Sequence, residues 1–206
     1  MTDLPSGISP KEGQILEAAV RVFALRGYHG STMAEVAADA GVATGTIYLY
    51  FHRKQELLIS LFQRHLGNYM SEMRPRVMAA AAGTPRLKAL VESHLAFFAE
   101  DRALASVFQV HARDPDPELA EGIRPSVAQY FDIIGEVMES GVEAGAFRAD
   151  LSVRLARQVF FGALDEVVTG WLRSTHPYSL MSALEPVTVM LSGAFGATPS
   201  SPGESP

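Results

Sequence analysis

Hydroxyls, small residues and aromatics crowd the segment Thr44-Gly45-Thr46-Ile47-Tyr48-Leu49-Tyr50-Phe51-His52. Thr and Tyr hydroxyls, together with backbone N–H groups left free at the start of a helix, are donors suited to phosphate oxygens, and small residues let a surface approach closely. His29 and His52 fit phosphate contacts and solvated loop positions equally. Further along, His111, Arg113 and Arg157 follow or interrupt apolar stretches. A guanidinium can grip a phosphate at two points, but arginines also pair with acids. Nucleophilic or metal chemistry has little support. There is no cysteine, which excludes disulfides and thiolate sites. No Gly-x-Ser-x-Gly elbow, phosphate loop or His-Glu-x-x-His pair occurs, and the six histidines are scattered. His94 and His111 read as core or pocket donors. No catalytic residue, metal site or cofactor is assigned, and the chain is not expected to be an enzyme.

The elements that must carry these residues are helices. With 206 residues, 48% of them apolar, the chain can build a full core. Neither a leader peptide nor a membrane span is expected, so the chain should be cytoplasmic. The net charge is −6, and it is spread: residues 1–60 hold five Lys or Arg against six Asp or Glu, the remainder twelve against seventeen. A polyanionic partner would have to be met by a small positive face with hydroxyls and amides, not by a general cationic field.

Ser9, Pro10 and Glu12 announce a helix, with apolar residues from Ile15 to Leu25 at helical spacing and Gly27 as its end. Thr32 and Glu35 form a capping box for a second helix of about two turns, which Gly41 stops. Thr44 should cap a third short helix over Gly45–Phe51, and a long helix should run from Lys54 to about Val77. Helix, short Gly-containing turn and helix make a helix-turn-helix. Ala34, Val36, Ala37, Val42, Ile47, Leu49 and Phe51 are expected to pack it inward, leaving Thr44, Gly45, Thr46, Tyr48, Tyr50 and His52 outside. From Pro85 onward helix follows helix, separated by DPDPE, SGVEAGAF and STHPYS. The fold class is all-α: an N-terminal helix-turn-helix domain of three helices over residues 1–55, a larger C-terminal helical ligand-binding and dimerisation domain over 56–196, and a Pro/Ser/Gly-rich tail over 197–206 expected to be disordered.

Residues 11–60 resemble the DNA-binding region of the TetR family of transcriptional regulators. LEAAVRVFALRGYHGST, MAEVAADAGVATGTIYLYF and KQELL carry that likeness. It implies that Ala43–Tyr50 is the recognition segment and that Thr32, Tyr48, Tyr50 and Lys54 stand where the family contacts the DNA backbone. A palindromic duplex operator and a homodimer are implied with it.

The second half bears a narrower resemblance, through GTIYLYF, ELLISLF, VRLARQ, FGALDE and VTGWL, to the acyl-CoA-responsive fatty-acid-degradation repressors of the TetR type. DPDPE and PSSPGESP depart from that group. The resemblance implies repression of fatty-acid degradation genes and release by a long-chain acyl-CoA effector; phenylacetyl-CoA, another short acyl-CoA or a lipophilic drug are the alternatives. An acyl-CoA needs an apolar tunnel and cations. LVESHLAFFAEDRALASVFQVHAR offers Leu95, Phe98, Leu104, Phe108 and Val110 on one helical spacing, ending in His111 and Arg113, with Arg157, Phe160, Phe161 and Leu164 opposite; ordinary core packing gives the same pattern. Val153–Leu172 is apolar nearly all round. A central core helix of a monomer fits this, as does a two-helix dimer face with PVTVMLSGAF, built on Gly162, Val167, Gly170, Trp171, Val189 and Met190.

Overall fold

The computed structural model describes residues 9–112, 115–176 and 178–196. Arg113 and the expected tail at 197–206 lie outside them. The described residues form helices joined by short turns, and β pairing among them is confined to one isolated bridge between Phe147 and Gly196. The chain divides into two compact units. One takes the chain up to Asn68 and again Asp101–Val127; the other takes Tyr69–Glu100 and the chain from Ala128 onward.

In the first unit, α1 (Pro10–Arg26) begins where the Ser9 hydroxyl accepts the Glu12 N–H at 3.1 Å, with Pro10 in the first turn. It buries Ile15, Leu16, Ala18, Ala19, Val22 and Phe23, while Leu25, expected on that stripe, is 83% exposed. Gly27 closes the helix at φ 73°, a conformation costly for any residue with a Cβ. The capping box of α2 (Met33–Asp39) is complete: Glu35 N–H donates to the Thr32 hydroxyl at 3.2 Å, and Thr32 N–H to the Glu35 carboxylate at 2.8 Å.

The next helix, α3 (Thr44–Ile47), is shorter than the expected Gly45–Phe51, and Ala43 rather than Thr44 holds the cap position. Beyond Ile47 the chain turns. The Ile47 carbonyl accepts from both Tyr50 and Phe51 N–H, at 3.1 and 2.9 Å. Ile47 and Phe51 are the buried anchors of that turn. Leu49, on the opposite side, is 79% exposed, and Ala34 is also exposed; both were expected inside. α2, the turn at Gly41 and α3 make the helix-turn-helix, and α4 (Lys54–Ala79) follows it.

The long apolar stretch after Leu90 is not one helix. α5 (Thr84–Glu100) ends before Asp101, whose carboxylate accepts the N–H groups of Ala103 and Leu104 at 2.8 and 3.0 Å and so starts α6 (Arg102–His111). Residues 102–111 therefore belong to the first unit, where Phe108 stacks on Phe62 with centroids 4.1 Å apart. The first part of α7 (Pro117–Glu143) joins the same unit, capped by Asp116.

The second unit is built from the later part of α4, α5, the later part of α7, α8 (Val153–Arg173), a 3-10 turn (Leu180–Ala183) and α9 (Leu184–Phe195). Phe147 pins the α7–α8 connection. Its ring lies so close over Gly141 that a Cβ there would meet it at 2.1 Å, and it touches Phe195 with centroids 6.2 Å apart. Leu87, Leu90, Val91, Ile134, Phe160 and Leu164 fill the core.

Candidate functional site

The α3 segment presents a surface of hydroxyls and small residues. Thr32, Ala43, Thr44, Gly45 and His52 are exposed, Thr46 and Tyr50 half-buried, and Tyr48 is 46% exposed. A Cβ placed on Gly45 would meet nothing within 4 Å, so the approach to α3 is open. Leu49 joins this surface, and sequence reasoning missed it because it carried the helix through to Phe51. Had the turn after Ile47 been read, Leu49 would have been placed outside.

Charge on this unit is largely paired. Arg21 meets Asp39 at 2.7 Å and Arg26 meets Glu35 at 3.0 Å. Arg53 grips both carboxylate oxygens of Glu118, at 3.2 and 2.5 Å, and that contact raises its pKa while the pair stays exposed. Thr32 and Glu35 hold each other, which lowers the Glu35 pKa through the hydrogen bonds from the Thr32 amide and hydroxyl. Lys54, expected at the DNA backbone, reaches into the α1–α2 loop. Its ammonium donates to the carbonyls of Tyr28, Ser31 and His29, at 2.5, 2.8 and 3.5 Å, and lies 4.5 Å from the Tyr28 ring centroid. An ammonium has three N–H groups, and these carbonyls take them in this arrangement. Partial desolvation lowers the Lys54 pKa.

The residues expected to line one ligand pocket fall into two groups. Leu104, Phe108 and His111 are buried in the first unit. His111 packs edge-on to Tyr28 at 5.3 Å and lines a cleft of 380 Å³ with Phe23, His29 and Val107. Val110, expected on the apolar stripe, is 64% exposed because the break at Asp101 resets the helical phase. Phe98, Phe160 and Leu164 are buried in the second unit, and Phe161 lies against Phe131 and Tyr130 with centroids 4.9 and 6.3 Å apart. Arg157 Nη1 reaches Asp132 at 3.4 Å, and its Nε is buried without a hydrogen-bond partner.

A polar cluster that the sequence did not single out sits in the second unit. His94 Nδ1 and the Tyr130 hydroxyl are 2.7 Å apart, both residues buried. Tyr69 stands beside Tyr130, centroids 5.8 Å apart. His94 Nε2 has no hydrogen-bond partner. Burial depresses the His94 pKa to about 3 and raises both tyrosine hydroxyls.

On α8, Leu155, Val159, Gly162, Glu166 and Gly170 are exposed at three- and four-residue spacing, opposite buried Ala156, Phe160, Leu164 and Val168. A Cβ on Gly162 or Gly170 would meet nothing within 4 Å. On α9, Val189 and Met190 are 69% and 64% exposed. Val167 is half-buried. Trp171, expected on that outer face, is instead buried in its own unit, its ring N–H donating to the Tyr178 carbonyl at 3.1 Å.

Among the described residues, no three His, Asp or Glu side chains cluster as metal ligands, and no helix is long and apolar enough to cross a membrane. Residues 15–61 match the family described as bacterial regulatory proteins, tetR family, and residues 62–194 the YsiA-like protein, C-terminal region. The fatty acid metabolism regulator protein of Bacillus subtilis is 37% identical over 182 residues, covering 88% of this chain and 94% of its own length. The fatty acid degradation regulator FadR of Bacillus halodurans superposes with a TM-score of 0.87 at 40% identity, over 91% of this chain and 97% of that one. FadR of Bacillus subtilis in complex with stearoyl-CoA superposes with a TM-score of 0.85 at 36% identity, over 89% and 98%. With a family match on each side of residue 61 and relatives aligned across nearly the whole chain, the protein belongs to the TetR family of bacterial regulatory proteins.

Proposed function

We propose that this chain is a DNA-binding repressor of fatty-acid degradation genes, released from its operator by a long-chain acyl-CoA. The observation that carries the reading is the near full-length likeness to the fatty acid metabolism regulator of Bacillus subtilis, whose solved complex contains stearoyl-CoA. The exposed hydroxyl surface at α3 supports the DNA half of the reading: Thr44, Thr46, Tyr48 and Tyr50 bond backbone oxygens while Gly45 and Ala43 admit base edges.

The repressor acts as a homodimer on a palindromic duplex, with recognition segments about 34–36 Å apart. The exposed apolar stripes of α8 and α9 form the self-complementary face, and Gly162 and Gly170 allow the two copies of α8 to approach closely. The acyl chain occupies the second unit among Phe98, Phe160, Phe161 and Leu164, and binding shifts the dimer toward states in which the recognition segments no longer match the groove spacing.

An operator gel-shift titrated with acyl-CoAs of graded length, each below its micelle concentration, tests this. Long chains should release the DNA and short ones should not, and operator DNA should weaken acyl-CoA binding by the same factor. Failure of every chain length would remove the effector assignment. Release by phenylacetyl-CoA or by an uncharged aromatic would replace it.

A further inference from the structure

The second unit holds three polar side chains from three helices in an otherwise apolar, aromatic setting. Tyr69 comes from α4, His94 from α5 and Tyr130 from α7. Phe97 lies 4.5 Å from the Tyr69 ring, Phe98 5.1 Å from His94 and Phe161 6.3 Å from Tyr130, and none of these neighbours offers a hydrogen-bonding atom. The cluster satisfies itself only in part. The 2.7 Å bond between His94 Nδ1 and Tyr130 is made, while His94 Nε2 remains buried and unpartnered. A buried polar atom without a partner costs stability and is unusual in a native core.

We infer that His94 Nε2 hydrogen-bonds the thioester carbonyl oxygen of the effector and so distinguishes an acyl thioester from other lipophilic molecules. When the Tyr130 O–H donates to Nδ1, the imidazole proton sits on Nε2, which becomes a donor directed away from Tyr130. The surrounding phenyl rings suit a ligand that is apolar on either side of one acceptor. Burial keeps the imidazole neutral, so the cluster has no positive charge to offset a buried carboxylate; a neutral carbonyl fits and a free fatty-acid anion does not. This inference rests on the acyl-CoA reading above and adds to it the atom recognised and the residues that recognise it.

The test compares a long-chain acyl-CoA with the S-alkyl-CoA thioether of the same length, which lacks only the carbonyl, and with the free fatty acid, on the wild-type protein and on His94→Phe. Wild type should bind the thioester about tenfold more tightly than the thioether, the discrimination expected when a buried donor is left unpaired. His94→Phe should lose that preference with thioether affinity changed less than about twofold. Infrared spectra of wild type with acyl-CoA carrying ¹³C at the carbonyl need no variant: the carbonyl band should move to lower frequency on binding. Equal affinities for thioester and thioether in wild type, an unshifted band, or a free fatty acid binding as tightly as the thioester would overturn the inference while leaving an acyl-chain effector in place. Binding of none of the three would overturn the effector reading itself.

Discussion

The Lys54 ammonium lies 4.5 Å from the centroid of the Tyr28 ring and donates to the carbonyl of the same residue. One cation thus closes the α1–α2 loop from the start of α4, satisfying carbonyls of Tyr28, His29 and Ser31. Lys54→Met should lower stability by about 1–2 kcal/mol, since a charged donor is lost and loop carbonyls must turn to water. A urea titration should show the midpoint falling at unchanged slope. A variant of wild-type stability whose only defect is weaker operator binding would place Lys54 among the phosphate contacts.

Tyr48 and Leu49 stand side by side on the outer surface of the α3 turn, and the first unit gains little from either side chain. Leu49→Ala should change stability by less than about 0.5 kcal/mol and Tyr48→Ala by less than about 1 kcal/mol. Each should weaken operator binding about tenfold if the segment lies against DNA, the loss of roughly one good contact. Fluorescence anisotropy at fixed salt is the measurement, and unchanged affinity in both variants would move the DNA face elsewhere.

Arg53 stands next to His52 at the edge of that surface, yet Glu118 occupies its guanidinium. The pair is exposed, so its own contribution to stability is small. Glu118→Gln should leave the unfolding midpoint nearly unchanged and free the cation for phosphate. Operator affinity should then rise about two- to threefold, and the salt dependence should steepen by about one counterion. A salt slope identical to wild type would place Arg53 away from the duplex.

Open space at the Gly162 Cβ position sharpens the test of the dimer face. The Cβ of a glutamate there meets nothing within 4 Å and the position faces outward, so Gly162→Glu should keep the far-ultraviolet spectrum and the core packing. Between two copies of α8 the same charges would be buried and opposed. Light scattering should report the protomer mass, and operator binding should fall with it. A stable Gly162→Glu dimer would exclude α8 as the contact.

Local signals made the first unit legible. Ser9 with Pro10, Gly27, and Thr32 with Glu35 each act within four residues of the end they define, and all three operate in the structure. Errors arose where a short-range pattern competed with another local bond or with tertiary placement. Asp101 looked like one more polar residue on a continuous helix, yet its carboxylate takes two amides and starts α6 in a different unit. Trp171 belonged by spacing to a helix apolar all round, but only the fold shows that its ring turns inward to the Tyr178 carbonyl. The His94–Tyr130 bond and the Arg53–Glu118 pair join residues 36 and 65 positions apart, so no periodicity could have indicated them.

Acid should find His94 first among the buried groups of the second unit. Its pKa falls to about 3 in the folded protein, and the cause is burial alone; its hydrogen-bond partner, the Tyr130 hydroxyl, is neutral. In the unfolded chain a histidine titrates near 6.5. Above that value both states are neutral and pH has no hold on stability through this group. Below it the unfolded chain takes up a proton that the folded protein refuses, so stability must fall by up to about 1.4 kcal/mol for each pH unit, until the folded-state value is reached. His65 in the first unit contributes with the same sign: burial lowers its pKa and Arg64 acts in that direction, while Glu17 and Asp101 oppose. His94→Phe should therefore flatten the decline between pH 6 and 4 by about one proton's worth without abolishing it. Urea unfolding at a series of pH values reads this directly. An unchanged slope in the variant would mean that His94 is protonated in the folded protein.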